Sequence, residues 1–265
     1  MNEISFLSQS SSLTLVVSVC AIFTIVRVMY SKKHQGIQNY LTANRKINFL
    51  PLSTSLTASA LGAWILFGPA SAATWGGIGA VIGYALGTAF PMLALIVLGK
   101  KIRNKAPSGT SLIEFLKKKY GKNLFKLILF MTIFYMFIFL CAEVTAIALL
   151  INYISATPLW ITSLTVLSTT LIYTLYGGLR VSIFTDIIQT IIILVLFFIL
   201  LNYIISFQEN SFSIEIIRNN RPQLISNKYI PNYTAGITFF IAVAATNLFH
   251  QGNWQRVYAA KNVEV

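Results

Sequence analysis

Charge is what this sequence has least of. Asp, Glu, Lys and Arg make up 10% of its 265 residues, where soluble domains carry about 25%, and that scarcity excludes a soluble globular protein. Histidine and cysteine occur twice each, as His34, His250, Cys20 and Cys141. So few soft ligands give no Cys/His metal cluster. There is also no Gly-rich phosphate loop and no Ser-His-Asp arrangement, so an enzyme is not expected, nor catalytic residues, nor an organic cofactor. Both cysteines sit inside apolar runs, where they read as small buried residues that report no redox compartment. His34 reads as a solvated loop residue. A cleavable leader is not expected either: the first apolar run, Leu13 to Tyr30, lacks a small-residue cleavage site.

What is abundant is hydrocarbon. Hydrophobic residues make up 56% of the chain, and a membrane-spanning helix needs about 20 of them in a row. Stretches at 13–30, 52–75, 77–99, 124–152, 159–176, 184–206 and 234–252 qualify, which predicts an all-α, polytopic membrane protein of about seven transmembrane helices. The net charge of +13 does not imply nucleic acid. With the N-terminus outside and the C-terminal end inside, seventeen of the twenty Lys and Arg fall in inner loops. Basic residues concentrate on the inner side of membrane proteins, so the charge is topological and the partner is the lipid bilayer of the plasma (inner) membrane.

Between the third and fourth spans, Pro107-Ser108-Gly109 signals a turn. Ser111 with Glu114 fits a capping box that opens a short amphipathic helix, expected at the inner interface beside Lys117 to Lys119. Pro158 is placed to start the fifth span. Residues 207–233 form the longest outer loop, with a short helix expected around Ile214 to Arg218.

Four places carry unusual chemistry. "LSTSLTASALGAWILFGPASAATWGG", Leu52 to Gly77, is uncharged and long enough to span, yet rich in small and hydroxylated residues. Ala58, Ala60, Gly62 and Ala63 either permit close helix packing or mark a discontinuous helix whose carbonyls bind a cation, with Ser55, Thr57 and Ser59 supplying further oxygens. Glu143 lies well inside a span, where a carboxylate costs at least ~2.5 kcal/mol. It is either a coupling-ion or proton site or a structural hydrogen-bond acceptor. Asp186 and Gln189 open the sixth span, in the position of a helix N-cap and its capping-box partner. The last span ends in "ATNLFHQGNWQRVYAAKN". There the helix either exits near Phe249 or breaks around Gly252 and aims Asn247, His250 and Gln251 at a substrate.

Three of these pieces resemble one family. "TASALGAWILFGP" resembles the first core helix of the sodium:solute symporters, which carry proline, sugars, vitamins and carboxylates. "YTLYGGLRVSIFTDIIQ" is similar to that family's GG…TD..Q segment, and "WQRVYAAKN" to its QR..AAK segment. "TSLIEFLKKKYG" fits the family's amphipathic helix after the second core helix. The order and spacing match over essentially the whole chain.

The resemblance implies a LeuT-type inverted-repeat fold, here a leading helix, the first repeat and the start of the second. It implies a sodium-coupled symporter of a small organic solute working by alternating access, with Na+ as coupling ion and no other metal. The backbone carbonyls of Ala58 and Leu61 fall on its sodium-binding positions, and Asp186 on an ion path toward the cytoplasm. Thr246, Asn247, His250 and Gln251 fall on the broken helix that lines the substrate cavity. Two departures stand out. Ala60 replaces an Asp found in proline carriers, which speaks against proline. Residues 1–265 also cover only the N-terminal half of the family's pattern, as in a fragment or a carrier whose C-terminal half is separately encoded. The alternatives are a symporter-like sensor module of a signalling protein and a non-functional remnant.

Overall fold

The computed structural model describes residues 6–206 and 214–262. Among them the regular structure is helical: α1 Gln9–Lys32, α2 Ile37–Thr42, α3 Phe49–Ala60, α4 Gly68–Lys105, α5 Leu112–Ser155, α6 Leu159–Ser206, α7 Ile214–Asn220, α8 Ile230–Phe249 and α9 Gln251–Ala259, with short 3₁₀ turns at Ala43–Arg45, Ala63–Leu66 and Pro222–Ile225. Five helices are long and apolar enough to cross a membrane: α1, α4 with its preceding turn, α5, α6 and α8. Their outward faces carry large apolar side chains, such as Phe130, Phe134, Phe197 and Phe198, exposed because lipid is the solvent they suit.

The seven expected spans stand against these five helices: the stretches at 159–176 and 184–206 both fall in α6, and the one at 52–75 begins in the 12-residue α3. At 1.5 Å per residue the 48 residues of α6 reach roughly 72 Å, well over the ~30 Å hydrocarbon core. α6 is interrupted at Gly178 (φ 60°, ψ −166°), α4 at Gly77 and α5 at Gly121, each in a backbone region open almost only to glycine. Gly178 is also a point of contact: a Cβ there would lie 2.7 Å from the Tyr40 Cα of α2.

Packing is closest between α4 and α8. A Cβ on Gly79 would fall 1.9 Å from the Asn232 carbonyl oxygen, and one on Gly83 2.0 Å from that of Gly236. Elsewhere Ala43, Ile47, Leu52, Leu179, Ile183, Ala259 and Ala260 form a small core. There the strand-like residues Ile47 and Ala260 make an isolated parallel bridge, with the Ile47 N–H donating to Ala259 O (3.1 Å) and the Lys261 N–H to Ile47 O (2.8 Å).

Several local expectations need correction. Ser111 does precede α5, but its side chain makes no capping bond. Glu114 reaches further back, accepting from the Thr110 N–H (2.9 Å) and hydroxyl (3.1 Å). The amphipathic turn that follows turns its apolar side to the protein, Leu112 packing with Leu95 and Trp254, and Phe115 and Leu116 leaning on that cluster. Neither cysteine is buried: Cys20 is half-buried and Cys141 exposed, because the apolar runs holding them face outward as well as inward. His34 is half-buried and stacks on Tyr30 at 4.4 Å. α6 begins just after Pro158 as expected, and α7 covers the short helix expected near Ile214. Residues 207–213 of the long loop lie outside the described residues.

Gly83→Leu should overpack the α4–α8 contact, at a cost of about 1–3 kcal/mol or more, and lower both the Tm of the solubilised chain and its abundance in membranes. Leu93→Ala, at an exposed position of the same helix, should leave both nearly unchanged.

Candidate functional site

Two helix breaks lie against α5. The first separates α3 from α4. Leu61 (φ −98°, ψ 56°) and Gly62 (ψ 170°) leave the helical region, and Pro69, lacking an N–H, sits in the first turn of α4. The Ala58 carbonyl accepts an N–H from Leu61 at 3.2 Å, whereas the Leu61 carbonyl receives no hydrogen bond among the described residues. On the far side of the break the freed amides meet a carboxylate: Glu143 Oε2, from α5, accepts from the Ala63 N–H at 2.6 Å and lies 3.4 Å from the Trp64 nitrogen. Gly62 makes this approach possible, for a Cβ there would stand 2.2 Å from Glu143 Oε1. The small residues of this stretch therefore serve both a break and a close contact. Of the nearby hydroxyls, Thr57 donates to Ser53 O (3.0 Å) and Ser59 to Leu56 O (2.8 Å). A cavity of about 360 Å³ lies alongside, lined among others by Thr57, Leu61, Pro69, Tyr84 and Thr88.

The second break lies between α8 and α9, at His250 (φ −65°, ψ 111°) and not at Gly252. Glycine was the local signal for a break, but tertiary bonds displace it by two residues. The last carbonyls of α8 are taken by side chains of α9: Asn253 Nδ2 donates to Asn247 O (3.1 Å) and Trp254 Nε1 to Leu248 O (2.6 Å). The His250 ring meets Phe139 edge-on at 5.1 Å and Tyr135 at 6.5 Å, both on α5. His250 Nδ1 and Gln251 Oε1 are buried without a hydrogen-bond partner among the described residues. Thr246 and the Asn247 side chain instead bond the Val243 carbonyl of their own helix, each at 3.0 Å. The Ser59 hydroxyl lies 3.4 Å from Asn253 Oδ1, joining the two breaks directly.

Asp186, the only aspartate in the chain, is not a helix cap. α6 has already resumed after Gly178, so Asp186 and Gln189 lie in its interior and the capping-box geometry does not arise. The carboxylate is buried and paired: Oδ2 accepts from Arg256 Nη2 of α9 at 2.7 Å and from the Ser55 hydroxyl of α3. Arg256 Nε in turn donates to Ser55 Oγ at 2.6 Å and Nη1 to Gly252 O at 3.0 Å. One turn along, the Thr190 hydroxyl reaches Thr54 O at 3.1 Å. The structure thus brings Asp186 to α3 at Ser55, about one turn before Ala58. It also supplies partners that residue-type reasoning missed, Ser55 and Arg256. The signal was there in part, because a lone buried acid in so basic a chain calls for a cation.

With side-chain exposures of 8% and 9%, this pair is deep enough for its loss to be costly. Asp186→Asn should destabilise the chain by about 3–5 kcal/mol, since it leaves a buried guanidinium uncompensated. Asp186→Asn combined with Arg256→Gln should recover most of that loss, as read from Tm in detergent.

Comparison with known proteins accords with this geometry. The model of the sodium:solute symporter family matches residues 40–251. The chain is 27% identical over 229 residues to "Spermidine transporter DUR31" of Candida albicans, covering 86% of this chain and 43% of that protein. It is 30% identical over 201 residues to "Sodium/glucose cotransporter 1" of Mus musculus, covering 71% and 29%. To "Sodium/myo-inositol cotransporter 2" of Mus musculus it is 29% identical over 177 residues, covering 64% and 25%. The chain spans less than half the length of these relatives. No solved structure matches it. A family match over most of the residues, with helices able to cross a membrane in the same stretch, shows that this multi-pass membrane chain belongs to the sodium:solute symporter family.

Proposed function

We propose that the chain forms the ion- and solute-binding part of a sodium-coupled symporter, carrying a small organic solute across the plasma membrane by alternating access on a LeuT-type inverted-repeat fold. On this reading α1 is the leading helix, α3 to α6 carry the first repeat, and α8 with α9 begins the second. The observation that carries it is the first break, where the Leu61 carbonyl receives no hydrogen bond among the described residues and the Ala58 carbonyl beside it accepts the Leu61 N–H at 3.2 Å. Hard cations take oxygen ligands, and unwound carbonyls are how broken membrane helices hold sodium. Thr246, Asn247, His250 and Gln251 border the solute from the second break, the unpaired atoms being those of His250 and Gln251. Asp186 then lies on the ion path, and Arg256 must loosen before the carboxylate can receive sodium. The named substrates of the relatives, a polyamine, a sugar and a polyol, agree with a small polar solute.

Sodium bound at the break stabilises the folded chain by linkage. Replacing potassium with sodium should therefore raise the Tm of the purified chain in nanodiscs. Gly62→Leu, which drives a side chain into Glu143, should remove that rise. No sodium-specific rise in the unaltered chain would overturn the site, and loss of membrane abundance in step with the rise would assign Gly62 to packing alone.

The same reading places the N-terminus outside and the C-terminal end inside, following the basic loops. A cysteine at Asn219 in α7 should then react with an impermeant maleimide on intact cells, and one at Asn104 only after permeabilisation. The reverse pattern would overturn the orientation.

A further inference from the structure

Of the polar atoms left over around the two breaks, three are acceptors, and the fourth, His250 Nδ1, takes either role with its tautomer. Glu143 has no cation within 4 Å, since the ion pair of the described residues is Arg256 with Asp186. Its Oε2 is bonded to the Ala63 amide, while no donor among the described residues reaches Oε1. The amides it meets open a turn of only four residues, so the carboxylate has local backbone dipoles and no full counter-charge beside it. The Leu61 carbonyl and Gln251 Oε1 are also acceptors without donors.

Several of the donors bordering the breaks are meanwhile engaged within the protein. Thr57, Ser59, Thr246, Gln251, Asn253 and Trp254 each donate to a backbone carbonyl. A solute that enters here finds unpaired acceptors and negative charge. A polyol could donate its hydroxyls to these acceptors, but it brings no positive charge to balance the carboxylate.

The layout also has length. Tyr135, Phe139 and Glu143 recur every four residues along one face of α5, spanning roughly 12 Å at 1.5 Å per residue. The two rings lie against His250 at the second break, and the carboxylate lies at the first. Aromatic faces attract ammonium groups.

Resting on the symporter reading above, we infer that the solute of this site is an organic cation, an amine carrying at least one ammonium group. Its charged head binds Glu143 Oε1, and its remaining N–H groups or body lie along Phe139 and Tyr135 toward Gln251 Oε1. Glu143 is then the specificity-determining residue.

The test is equilibrium binding of spermidine, myo-inositol and glucose to the purified 265-residue chain in phosphatidylcholine nanodiscs with sodium, followed by calorimetry. Spermidine should bind saturably and the two neutral solutes should not compete with it. Glu143→Gln keeps an oxygen for the Ala63 amide but removes the charge, and should weaken spermidine binding about tenfold or more in protein whose circular dichroism and elution are unchanged. Should that variant fail to fold, Gln251→Glu serves instead, and its added charge should tighten spermidine binding several-fold. Binding of myo-inositol or glucose in preference to spermidine would overturn the inference. So would spermidine affinity that ignores either variant, or no amine binding by a chain that shows the sodium-induced rise in Tm. A chain lacking that rise as well would overturn the symporter reading, and this inference with it.

Discussion

In a hydrocarbon solvent a peptide group that loses its helical partner has no water to turn to, and leaving it bare costs several kcal/mol. Each helix break in this chain is therefore also a binding problem for the backbone. At the first break the orphaned amides of Ala63 and Trp64 face the Glu143 carboxylate. At the second, the orphaned carbonyls of Asn247 and Leu248 take the side-chain donors of Asn253 and Trp254. The two solutions are complementary, one acidic and one donating, and what they leave unused is the Leu61 carbonyl, Glu143 Oε1, Gln251 Oε1 and His250 Nδ1. The candidate site is made of those leftovers.

α5 is the element that makes this possible. Its face at Tyr135, Phe139 and Glu143 touches both breaks, so the position of α5 sets how far apart they stand. The Asp186–Arg256–Ser55 cluster plays a similar part lower in the bundle, tying α6, α9 and α3. Desolvating such a pair offsets much of its attraction, so it adds little to net stability. It does select an arrangement, because removing one partner strands the other. Both helices that end in breaks, α3 and α8 through α9, are thus held to α6 by one carboxylate, and in the proposed cycle that is the contact whose release would free them together.

Much of the architecture was legible beforehand, for reasons that are local. Apolar length marked the spans, and Pro158 marked the start of α6. The small and hydroxylated residues around Gly62 marked a special helix, with packing and breakage both allowed by its composition. The structure shows that the two coincide, because Gly62 is small where Glu143 arrives. Asp186 was less legible. Its spacing from Gln189 fits a cap, yet caps depend on where a helix starts, and α6 restarts after Gly178, a turn set by the packing of α2 against it. The cysteines illustrate the same limit, since an apolar run does not say which of its faces meets lipid.

The sequence alone determined composition, the membrane as solvent, the order of helices and the residue types at the breaks, all of which follow from neighbours a few positions apart. Tertiary structure decided the pairings: Glu143 with the amides 80 and 79 residues before it, Asp186 with Arg256 70 residues after it, and His250 with the rings of α5. Hydrogen bonds and charges act over a few ångströms in space, whatever their separation along the chain. Which acid meets which amide is therefore set only once the helices pack.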